Sequence, residues 1–112
     1  MTMRDLKWSG SEKKVARRAF DQAAEAVFAE LLAEFRRRAA AVAEPADLWE
    51  LERHLRQQRR ALEELLDFRY SQLPFVFARL IHEGHLDEAQ LAGLAEEKLE
   101  LVRSYLALLR RR

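Results

Sequence analysis

The chain has 112 residues, of which 49% are apolar and 35% charged, with three Gly, two Pro and no Cys; that suits one helix-rich domain and excludes disulfides, thiolate chemistry and a disordered class. Twenty basic side chains against 19 acidic ones leave a net charge of +1, so no overall field draws the protein toward nucleic acid or a membrane. The sequence has no signal peptide and no apolar run of membrane length, so a cytoplasmic location without integral membrane insertion is expected.

Taken in order, residues 1–8 are expected to be loosely held. Ser9 followed by Glu12 is a capping-box pattern, and from Ser11 to about Val42 neither Pro nor Gly interrupts a helix. Its apolar stripe runs through Phe20, Ala24, Val27, Leu31, Phe35, Ala39 and Val42. At about 1.5 Å per residue such a helix is roughly 48 Å long. A compact chain of this size would have a radius of gyration near 13 Å, so the helix is too long for one folded ball to cover.

Glu44 and Pro45 break this helix and open a second one, from Asp47 to Leu66. Leu48, Leu51, Leu55, Gln58, Leu62 and Leu65 recur there at three- and four-residue spacing, a narrow seam built to meet another helix. Trp49 lies off that seam, sharing the outer side with Arg53, Arg56 and Arg60, while Arg59 borders the seam. Asp67 to Ser71 is read as a kink, with Ser71 capping a third helix that tolerates Pro74 in its first turn. Phe75 to Ile81 is almost continuously apolar, and Gly84 ends it. Asp87 with Gln90 is expected to start the last helix, striped by Leu91, Leu94, Val102, Tyr105 and Leu109.

The expected architecture is a single all-α domain: an elongated helical hairpin stalk over about 9–66 and a small two-helix head over about 71–110. A two-helix stalk with an apolar seam needs a second subunit, and a twofold homodimer is the simplest closure.

Chemistry-bearing groups are scarce, and no catalytic residue, metal site or cofactor is expected. His82 and His85 have H-x-x-H spacing, but Gly84 separates them and no third ligand is evident. Ser71 and Ser104 lack a neighbouring base. The adjacent carboxylates Glu63 and Glu64, or Glu96 and Glu97, point to different helix faces. Arg36–Arg38 and Arg110–Arg112 sit beside helix C-termini, where cations complement the dipole, so nucleic acid is not expected as a partner.

The order and spacing of several groups of residues resemble a known family. Trp8-Ser9 precedes Glu12-Lys13-Lys14-Val15-Ala16 and Ala19-Phe20-Asp21; then come Asp47-Leu48-Trp49, Arg59, Asp67-Phe68-Arg69-Tyr70-Ser71, Phe75-Val76-Phe77-Ala78, Glu83-Gly84 and Lys98. Across nearly the whole chain this resembles the cyanobacterial fluorescence recovery protein family. The resemblance implies an all-helical dimer without enzymatic chemistry. It further implies a partner, the photoactivated orange carotenoid protein, bound mainly at its C-terminal domain, or a related domain. Its return to the dark orange state would be accelerated, ending quenching of the phycobilisome antenna.

On that resemblance Leu48, Trp49, Leu51, Leu55, Gln58, Arg59 and Leu62 are candidate dimer-interface residues, and Trp49, Glu52, Arg53, Arg59 and Phe75 are candidates for partner binding. Glu52 and Arg53 stand where the family tends to carry an adjacent His-Asp pair, and Leu101 where it can carry a basic residue. Each feature also has a structural reading. Trp49 can be covered by a second subunit, and the arginines can form a solvated face balanced by neighbouring glutamates. Phe75 and Phe77 can belong to the core. Lys98, on the apolar side of its helix, can pair with an acid such as Asp67 or Glu83. A divergent helical adaptor with the same fold is the competing functional reading.

Overall fold

The computed structural model describes residues 6–112. Among the described residues four α-helices and one 3₁₀ turn follow one another: α1 Gly10–Ala40, α2 Pro45–Leu65, α3 Leu73–His82, the turn Glu88–Leu91, and α4 Glu96–Arg110.

The expected capping box is present, with the Glu12 N–H donating to Ser9 Oγ and the Ser9 N–H to Glu12 Oε1, both at 3.1 Å. At the other end of the hairpin, Pro45 occupies the first turn of α2. Asp47 Oδ2 accepts from the Ala43 and Glu44 N–H groups, both at 3.0 Å, fixing the tight reversal between α1 and α2. These two backbone donors hold the Asp47 carboxyl below its ordinary range. Gly84, at φ +82°, closes α3: His85 N–H reaches Leu80 O and Gly84 N–H reaches Ile81 O, the paired bonds of a Schellman ending.

The core lies in the head, and α1 contributes to it together with the last two α-helices. Ala16, Ala19, Phe20, Ala23 and Val27 of α1 are buried with Leu73, Val76, Phe77 and Leu80 of α3 and Val102 and Leu106 of α4. The small side chains Ala16, Ala19 and Ala23 let the other elements approach the α1 backbone closely. The N-terminal half of α1 is thus part of the head, and beyond Val27 no α1 residue is buried. What projects is the second half of α1 paired with α2, whose one buried residue is Leu65.

Three local expectations need correction. Leu6 is buried, the Lys7 carbonyl accepts a hydrogen bond from Lys98 Nζ at 2.7 Å, and Trp8 packs on Tyr70; Met1–Asp5 lie outside the described residues. Ser71 does not cap α3. The residue before that helix is Gln72, and the Arg69 carbonyl accepts from both Gln72 and Leu73 N–H groups. Asp87 and Gln90 do form a capping pair, but over the short 3₁₀ turn only, and α4 starts at Glu96. Gly93, at φ +110° and packed where a Cβ would meet Val15 Cγ2 at 2.9 Å, breaks the expected single helix in two.

Candidate functional site

Helical periodicity spreads the seam of α2 over an arc wider than one helix contact. Leu51, Gln58 and Leu62 are half-buried and Leu65 is buried, so these meet α1. Leu48 and Leu55 fall at the edge of the arc and stay 51% and 40% exposed. On α1, Phe28 and Leu32 are 53% and 48% exposed, one position on from the inward Val27 and Leu31. Because α1 and α2 run antiparallel, a step forward around α1 and a step forward around α2 turn toward the same side of the hairpin. Phe28, Leu32, Leu48 and Leu55 therefore share one flank, with half-buried Phe35 and Ala39 extending it. Sequence reasoning missed Phe28 and Leu32; their four-residue spacing beside a parallel stripe was the available signal.

The same flank carries charge. Glu52 pairs with Arg56, and Arg59 Nε donates to Glu63 Oε1 at 3.1 Å, all four side chains being exposed. Arg53 has no ion-pair partner among the described residues. Trp49 is 64% exposed on the side of α2 turned away from α1. The opposite flank of the hairpin is different: His54, Glu30, Arg37, Arg79 and His85 line an open crevice together with Val27, Leu62 and Leu65. His85 Nδ1 lies 3.2 Å from Glu30 Oε2, so His85 and His82 have separate surroundings.

In the head, Phe77 is fully buried, whereas Phe75 is half-buried and meets Tyr105 edge to face at 5.3 Å. Of the two aromatics, Phe75 is the more exposed. Lys98 is 1% exposed, and its acid is Glu12 at 2.9 Å rather than Asp67 or Glu83; Asp67 is held by Arg69. Burial by itself would push the Glu12 carboxyl up. The Ala95 and Ser9 N–H groups and the Lys98 ammonium overcome that and hold it at about 2.

Residues 8–106 match the model of the photoprotection regulator fluorescence recovery protein family. The chain belongs to the fluorescence recovery protein family. It is 31% identical over 97 residues to the fluorescence recovery protein of Synechocystis sp. (strain ATCC 27184 / PCC 6803 / Kazusa), covering 87% of this chain and 89% of the relative. The fold agrees as well. The Fremyella diplosiphon fluorescence recovery protein structure superposes with a TM-score of 0.83 at 36% identity, over 88% of this chain and 97% of that one. The Synechocystis structure gives 0.85 at 30% identity, over 90% and 99%. Family membership supports a role as a photoprotection regulator. No helix among the described residues is long and apolar enough to cross a membrane.

Proposed function

We propose that this chain is a non-catalytic regulator that works as a homodimer, binds the photoactivated orange carotenoid protein at its C-terminal domain and speeds its return to the dark orange state. The observation that supports the dimer is this flank: Phe28, Leu32, Leu48 and Leu55 form one apolar strip on the hairpin that the described residues leave about half exposed. Leu51, Gln58 and Leu62 back that strip, and Arg59 and Glu52 border it. A twofold axis through the strip would bring Glu52 of one copy toward Arg59 of the other, giving the interface its charge complementarity. Trp49 and Arg53 at its margin, and Phe75 at the head, are the proposed partner contacts.

The mechanism is differential affinity. A binder shifts a two-state partner only by preferring one state, and it accelerates the change only by also holding the transition state between them. No proton transfer, nucleophile or metal is needed for that. The experiment is to mix the protein with photoactivated orange carotenoid protein in darkness and follow the loss of the red-shifted absorbance. Reversion at least several-fold faster than without the protein supports the reading. An unchanged rate sinks it and leaves the adaptor, whose supporting observation is that Glu52 is already paired with Arg56 on its own helix.

A further inference from the structure

The chain as a whole is nearly neutral, yet its charge is unevenly placed. Between Leu6 and Asp21 lie five of the 20 basic side chains and two of the 19 acidic ones. Both acids are already engaged, Glu12 with buried Lys98 and Asp21 with Arg17 at 3.2 Å. Lys7, Lys13, Lys14 and Arg18 are exposed and have no ion-pair partner within 4.0 Å among the described residues.

Beside this segment runs an aromatic ladder, half-buried at Trp8, Phe68 and Tyr70 and buried at Phe20. Trp8 meets Tyr70 at 5.4 Å, Tyr70 meets Phe68 at 5.5 Å, and Phe68 meets Phe20 at 5.0 Å. Arg17 lies over Phe68 at 3.7 Å and Lys13 over Tyr70 at 5.4 Å. Stacking restricts both cations before any partner arrives, which lowers the ordering cost of a contact. Aromatics and arginine together are the composition enriched in protein interfaces. The ladder ties the start of α1 to the 66–72 connection, so it is carried by the rigid head rather than by the projecting hairpin.

We propose that this cationic ladder, with Lys14 and Arg18 at its outer edge, is an electrostatic docking surface for an acidic face of the regulated protein partner, separate from Phe75 and from the hairpin flank. The inference rests on the functional reading above and adds the surface that steers the encounter. A local positive field on a nearly neutral protein raises the association rate, depends on ionic strength and leaves dissociation of the final complex largely alone.

The test is the double variant Lys14→Glu with Arg18→Glu. Both side chains are exposed, and among the described residues neither stacks on an aromatic ring or forms an ion pair, so the melting temperature should match the unmodified protein. Association with photoactivated orange carotenoid protein is measured by stopped flow at several salt concentrations. The variant should associate about tenfold more slowly at low salt, with a flatter salt dependence and an unchanged dissociation rate. Equal rates and equal salt slopes for the two proteins would overturn the inference while leaving the functional reading standing. Absence of binding by the unmodified protein would remove both. In parallel, binding of the unmodified protein to phosphatidylglycerol vesicles at physiological salt, lost in the variant, would overturn the protein partner in favour of an anionic lipid surface.

Discussion

Glu12 joins two jobs in one carboxylate. Oε1 completes the cap of α1, while Oε2 accepts from Lys98 at 2.9 Å and from the Ala95 N–H at 2.9 Å, so the start of α1 is tied to the start of α4. Replacing Lys98 by Met leaves Glu12 in place without its cation and should destabilise the fold by about 3 kcal/mol, near the low end for a broken buried pair because the backbone donors remain. Urea unfolding checks it. Lys98→Met with Glu12→Gln should lose less than the two single changes summed, the signature of a shared interaction. The Glu12 carboxyl titrates at about 2 in the fold against an ordinary 4.5. Its contribution is therefore fully present above about 4.5 and is lost as pH falls from there toward 2. Urea midpoints taken between pH 5 and pH 3 should drop more for the unmodified protein than for Glu12→Gln. The helical pattern put Lys98 on the apolar side of α4 but could not name its acid. Periodicity reports position around one helix, and Glu12 comes from another helix far away in sequence.

At the scale of elements, the termini with a local chemical signature were legible. Ser9 with Glu12, Pro45 and Gly84 act within a turn of themselves, and each one marks the boundary it was read to mark. Boundaries fixed by distant packing were not. The break before α4 depends on Gly93 lying against Val15 of α1, and a single Gly in a helical pattern carries no record of that neighbour. Gly93→Ala should cost about 2 kcal/mol or more, since it combines an unfavourable positive φ with a contact of 2.9 Å in a packed site; a lowered melting temperature checks it. The arc of the α2 seam was legible, but its division between α1 and open solvent was not, because it depends on where the antiparallel partner stops. With Leu65 alone buried in α2, its amides should exchange faster than those of α3 when the protein is diluted to a monomer. Equal protection of the two helices at high dilution would argue against this picture of the hairpin.

The whole molecule measures 53 × 28 × 21 Å with a radius of gyration of 16.8 Å. A compact chain of this length would be near 13 Å. The excess is the hairpin beyond Val27, foreseeable from the unbroken length of α1, whereas the joining of α1's first half to the head required knowing which alanines face α3. The same projection makes the apolar flank a surface to be covered. Leu55→Glu adds a charge at the centre of that strip and touches nothing in the head core, so it should abolish self-association while leaving the monomer folded. The most direct test of the account is sedimentation velocity on the unmodified protein and on Leu55→Glu at micromolar concentration. A species of twice the 13.2 kDa chain mass is expected for the first and a single chain for the second. An unmodified protein that sediments as a monomer would contradict it.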